Sequence, residues 1–98
     1  MTSSVELATS VSGEGPPVVL LHGLFGAGDT LGGIRRRLAR EYQVYSLDLR
    51  NHGESPHTDS MSYPEMAGDV LAYLDRAGLA EASLLGHSMG GKVAMEVA

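Results

Sequence analysis

Apolar positions along the chain shift repeatedly between the period of a strand and that of a helix. From Ser4 to Ser12 they alternate weakly with polar residues, and Gly13-Glu14-Gly15-Pro16-Pro17 closes the stretch with turn chemistry, which predicts one or two peripheral strands. Val18-Val19-Leu20-Leu21 is apolar without alternation, the pattern of a strand covered on both faces. A glycine-rich loop from Gly23 to Gly28 follows. Leu31, Ile34 and Leu38 then recur at helical spacing around Arg35-Arg36-Arg37, so an amphipathic helix is expected, with a solvated basic face and with Asp29 or Thr30 as its cap. Val44-Tyr45-Ser46-Leu47 reads as a second buried strand that ends in the loop Asp48 to Gly53. Ser62-Tyr63-Pro64-Glu65 has the spacing of a capping box, and Met66, Val70 and Leu74 continue a helix that Gly78 ends. Ala82 to Leu85 is a further strand, and the chain reads helical from Met89 to Ala98.

This alternation predicts an α/β fold, a mostly parallel sheet with flanking helices and right-handed crossovers. There is no internal repeat, low-complexity segment or linker, so residues 1–98 read as part of one domain. The last helix reaches Ala98 without a C-terminal glycine or a basic last turn, which predicts an N-terminal portion of a larger domain, interrupted in that helix. With 43% hydrophobic and 19% charged residues the composition is that of a globular protein, not a disordered one. A net charge of -5 argues against nucleic acid or an anionic membrane surface as partner. Cysteine is absent, which excludes a disulfide framework, a thiolate metal site and a cysteine nucleophile. The first ten residues lack the basic and apolar regions of a secretory leader, and the run Val18 to Leu21 is too short to span a bilayer, so a cytoplasmic location is expected.

The candidate chemistry centres on LLGHSMGGKV, residues 84 to 93, which has two incompatible readings. From Gly86 through Gly91 to Lys92 it approaches the loop G-x-x-x-x-G-K-[ST] that cradles nucleotide phosphates. That loop needs a hydroxyl at its last position to hold magnesium, where this chain has Val93, and His87-Ser88-Met89 puts three bulky side chains into the cradle. Gly26-Ala27-Gly28 likewise suggests a dinucleotide-binding turn, with Asp48 downstream, but the third glycine of that fingerprint falls on Leu31. The second reading of residues 86 to 90 is the G-x-S-x-G elbow, a sharp strand-to-helix turn that presents a nucleophilic serine. Gly86 and Gly90 flank Ser88 as that turn requires, a strand precedes it, and a helix follows whose N-terminal amides face developing negative charge.

Three motifs together, VVLLHGLFG at 18–26, LDLRNHGESP at 47–56 and LLGHSMGG at 84–91, each at a strand's C-terminal end, give the chain a resemblance to the α/β-hydrolase family and to its short serine carboxylesterases. The resemblance implies Ser88 as nucleophile, the backbone amides of Leu24 and Met89 as oxyanion hole, and Phe25 near the acyl pocket. It implies no cofactor and no metal, and a small acyl ester or thioester as substrate.

Several polar residues are expected in supporting roles. His22, beside Gly23, is expected to fix the oxyanion loop by hydrogen bonding, and His87 to pack behind the elbow, because side chains diverge at a sharp turn. Asp48 and Arg50 are expected to tie down the loop at Asn51 to Gly53, His52 and His57 to be loop residues, and Met61, Met66 and Met95 to fill core or pocket. In the family the triad acid and histidine follow the serine, whereas the ten residues after Ser88 contain no aspartate and no histidine. The 98 residues alone are therefore expected to be inactive and, with an unpaired strand edge, to self-associate. Carbon-carbon bond hydrolysis or lyase chemistry on the same scaffold, and a non-catalytic interaction module, remain as alternatives.

Overall fold

The computed structural model describes residues 4–23, 32–79 and 81–98. Asp29, Thr30 and Leu31 of the expected first helix lie outside the described residues. Four strands, β1 (Thr9–Ser12), β2 (Pro17–Leu21), β3 (Gln43–Leu47) and β4 (Ser83–Gly86), alternate with three helices, α1 (Gly32–Leu38), α2 (Tyr63–Ala77) and α3 (Met89–Val97). The strands form one mixed sheet in the order β1-β3-β2-β4. β2 pairs in parallel with both β3 and β4, while the peripheral β1 runs antiparallel to β3.

Helices cover both faces of this sheet, which is why β2 is apolar without alternation. Val19 and Leu21 point to one face, where they pack with Leu47, with Met66 and Val70 of α2, and with Met89 and Val93 of α3. Val18, Leu20 and Val44 point to the other, against Leu38, Ala39 and Tyr42 at the end of α1. Only that end of α1 docks, so Ile34 is 43% exposed instead of lying on the buried face as its spacing suggested. Arg35 is not fully solvated either, since it donates to the Ser10 hydroxyl at 3.1 Å.

α2 begins and ends where its sequence dictates. The Ser62 hydroxyl accepts from the Glu65 amide at 3.2 Å, the Glu65 carboxylate accepts from the Ser62 amide at 3.1 Å, and Pro64 sits in the first turn, where no intrahelical donor is needed. Gly78 closes the helix at φ 72°, a left-handed position that glycine adopts without strain. No helix among the described residues is long and apolar enough to cross a membrane. The C-terminal ends of β2, β3 and β4 lie side by side at one end of the sheet.

Candidate active site

β4 ends at Gly86, and the His87 amide still donates to the Leu21 carbonyl of β2 at 3.0 Å. The next residue turns the chain. Ser88 has φ 55° and ψ -112°, a conformation that non-glycine residues rarely adopt, and α3 starts at Met89 immediately after it. Bonds from the Gly90 amide to the His87 carbonyl and from the Gly91 amide to the Ser88 carbonyl, both 3.0 Å, lock the turn into the helix.

The flanking glycines serve close approach, since neither Gly86 nor Gly90 has a positive φ. A Cβ on Gly86 would stand 2.5 Å from the Gly91 nitrogen, and one on Gly90 would stand 2.5 Å from the Leu21 carbonyl carbon and 2.6 Å from the His22 carbonyl oxygen. The two bare backbones let the end of β4, the first turn of α3 and the end of β2 touch, while Ser88 alone carries the strain. The serine side chain makes no capping bond to α3 and is exposed, so its hydroxyl is uncommitted to the helix. As the first residue of α3, Met89 has an amide with no acceptor inside the helix. Met89 is largely buried and also lines the cleft beside the serine.

A cleft of about 350 Å³ opens beside the serine, lined by Met61, Tyr63, Met66, Ser88, Met89 and Lys92. The Lys92 ammonium lies over the Tyr63 ring, 5.7 Å from its centroid. A phosphate-loop reading fails on this geometry: the helix begins three residues before the lysine, and the space a wide amide cradle would need is filled by touching backbones at Gly86 and Gly90. Leu24 and Phe25, expected at the oxyanion hole and acyl pocket, lie outside the described residues, as does Gly26-Ala27-Gly28.

His22 is fully buried behind this turn, and both its ring nitrogens are occupied. Nε2 accepts from the Leu49 amide at 2.9 Å, which requires that nitrogen to be unprotonated, so Nδ1 carries the hydrogen donated to the Gly23 carbonyl at 2.7 Å. Burial pushes the imidazole below its ordinary value of 6.5, and the nearby His52 adds to this, outweighing the bond to Gly23 and the charge of Asp48. The ring thus bonds the backbones of Gly23 and Leu49, while the oxyanion loop it was expected to fix lies, beyond Gly23, outside the described residues. His52 is a loop residue as expected, and it is buried, its ring centroid 5.0 Å from that of His22 and its Nδ1 2.8 Å from the Arg50 carbonyl. His87 departs from its expected place. It is exposed at the sheet edge, with its Nδ1 beside Gly23, instead of packed away.

The loop after β3 is tied as expected on one side, where the Asp48 carboxylate accepts from the Glu54 amide at 2.9 Å. Arg50, 2% exposed, reaches instead across to α2, where Nε and Nη2 donate to the two carboxylate oxygens of Asp69 at 2.7 and 2.9 Å and Nη1 to Glu65 at 3.1 Å. The bonds to Asp69 raise the guanidinium pKa further above its ordinary value. Asp69, fully buried, also accepts from the Val5 amide at 2.8 Å, so one carboxylate joins the N-terminal segment, the loop and α2. Sequence reasoning passed over Asp69. Its signal was an acid three residues after Met66 and one before Val70, on the apolar face of a helix. Of the methionines, Met66 is core and Met61 lines the cleft, whereas Met95 is 71% exposed and fills neither.

A doubly covered parallel sheet with a strained serine at the strand-to-helix turn defines an α/β protein of the elbow type. Residues 16–98 match the sequence profile of the alpha/beta hydrolase fold, and the chain belongs to that family. It is 52% identical over 89 residues to the sn-1-specific diacylglycerol lipase ABHD11 of Xenopus tropicalis, which takes in 89% of this chain and 28% of that protein. It is 47% identical over 79 residues to esterase YbfF of Escherichia coli strain K12, 81% of this chain and 31% of that protein. Among solved structures, a marine microorganism esterase superposes with a TM-score of 0.94 at 46% identity, over 96% of this chain and 36% of that one. The chain thus spans less than a third of the length of these two curated relatives.

Proposed function

We propose that these 98 residues are the N-terminal portion of a single-domain serine carboxylesterase that hydrolyses small acyl esters or thioesters through an acyl-enzyme. The observation that carries the reading is Ser88, held at φ 55° between two glycines where an added Cβ would force neighbouring backbone apart, with its side chain exposed at the mouth of a largely apolar cleft. Ser88 Oγ would bond to the carbonyl carbon while the carbonyl π electrons move to oxygen, and the amides of Met89 and Leu24 would hold that oxyanion. Collapse of the adduct expels the alkoxide or thiolate, and water then releases the acid by the same steps. His22 is spent on the Gly23 and Leu49 backbones, which removes it as a base. The histidine that takes the serine proton and the carboxylate that orients it would come from sequence beyond Ala98.

The test is covalent labelling of the full-length protein by a fluorophosphonate, read by intact mass. One adduct on wild type and none on Ser88→Ala is expected, with no protection by ATP and magnesium. An unmodified wild type that binds ATP through Lys92 would overturn the reading. The 98-residue chain alone should hydrolyse a p-nitrophenyl ester no faster than its Ser88→Ala variant.

A further inference from the structure

The cleft beside Ser88 contains a charge that ester hydrolysis as such does not use. Met61, Met66 and Met89 make its wall apolar and Tyr63 supplies a ring, so Lys92 is its one ionised lining residue among the described ones. Lys92 lies in the first turn of α3, just after the Ser88 turn, and both side chains line this one cleft. Its ammonium rests over the Tyr63 ring at 5.7 Å, and among the described residues the ion pairs are both made by Arg50, none by Lys92. Lys92 is exposed, so the ammonium is open to a ligand entering the cleft, and the aromatic face steadies it without neutralising it.

We propose that Lys92 is a specificity-determining residue, selecting esters or thioesters that carry a carboxylate a few atoms from the scissile carbonyl. This rests on Ser88 being the nucleophile. With the carbonyl carbon at Ser88 Oγ, a carboxylate at the end of a short spacer reaches Lys92 within the same cleft, and the spacer lies along the methionines. The ion pair is the same in the bound substrate and in the transition state, so it acts on KM more than on kcat. A longer neutral acyl chain fills the same wall but leaves the ammonium unpaired.

The experiment compares kcat/KM in the full-length protein for two matched pairs of esters. Monomethyl glutarate against methyl 5-methylhexanoate puts the carboxylate on the acyl side; 4-acetoxybutanoate against 4-methylpentyl acetate puts it on the alcohol side. In at least one pair, Lys92→Met is expected to lower the anionic-to-neutral ratio roughly tenfold, mainly through KM, and Lys92→Arg to retain most of it. The pair that responds identifies the side on which the anion sits. Because the readout is a ratio within one variant, partial loss of folding does not imitate it. A ratio unchanged by Lys92→Met in both pairs overturns the inference, and turnover of the neutral esters that Ser88→Ala abolishes leaves the nucleophile reading standing. If no ester of the four is hydrolysed in a Ser88-dependent way, both fail.

Discussion

Replacing Gly90 by alanine probes the contact on which the serine turn rests. The added methyl would collide with the Leu21 carbonyl oxygen, and since a Cβ needs at least 3.0 Å the first turn of α3 and the end of β2 must part by about 0.9 Å. Both neighbours are backbone, one in a strand paired on both sides, so no side chain can swing away to absorb the change. Overpacking of this kind costs about 1–3 kcal/mol of stability. The displacement also passes directly to Ser88 and to the Met89 amide, two residues and one residue upstream. Since misplacement by about 1 Å costs on the order of a hundredfold in rate, a loss approaching that is expected here. The assay is the second-order rate of fluorophosphonate labelling in the full-length protein, alongside its thermal midpoint. Gly91→Ala is the internal control: its Cβ would find nothing nearer than 3.5 Å, and a helical glycine replaced by alanine gains up to about 1 kcal/mol. If Gly90→Ala labels at the wild-type rate with an unchanged midpoint, α3 does not rest on β2 as described.

Asp69→Asn removes the charge that faces the buried Arg50 and should cost about 3 kcal/mol in urea unfolding, the low end for a broken buried pair because Glu65 still accepts one bond; a loss below about 1 kcal/mol would contradict the role given to Asp69. The folded state holds His22 below its ordinary 6.5, so above 6.5 its contribution to stability is complete, and it is lost as pH falls from 6.5 toward the lowered folded value; the thermal midpoint should drop between pH 7.5 and 5.5, less so in His22→Asn, and equal drops would count against it. Ser88→Gly should abolish labelling yet raise stability by about 1 kcal/mol, because glycine tolerates φ 55°; a destabilised variant would mean that the turn stores no strain. The 98-residue chain, with β4 at the edge of its sheet, should self-associate in sedimentation velocity, and a monodisperse monomer would refute this.

The parts of this molecule that were readable in advance are those decided by neighbours in sequence. α2 could be bounded to the residue because Ser62, Glu65 and Gly78 act on backbone within one turn, and the elbow because Gly86, Ser88 and Gly90 meet in one turn of chain. What escaped depends on distant partners. Arg50 has nothing local that names Asp69, 19 residues on, as its acceptor, and His52 has nothing local that sets it against His22. Ile34 kept perfect helical spacing and still emerged, because α1 docks by its last turn and spacing says nothing about which turn meets the sheet. The pattern of flanking glycines was legible, but not what each admits: Gly86 makes room for the first turn of α3, and Gly90 for the end of β2.

The parallel pairing of β2 with β4 joins Val18 to Ser83, a separation of 65 residues, and so closes the longest loop in the sheet. Closing such a loop spends chain entropy before any contact repays it, which places this pairing late in folding. Gly90 has nothing to rest on until Leu21 is in position, so the turn that strains Ser88 comes into being only on an assembled sheet. A nascent or half-folded chain therefore carries an ordinary serine at position 88, with no capacity to acylate itself or its neighbours. Pulse labelling with a serine-reactive probe during refolding becomes a clock for β2–β4 closure, with reactivity rising only after the bulk of the helical signal has returned.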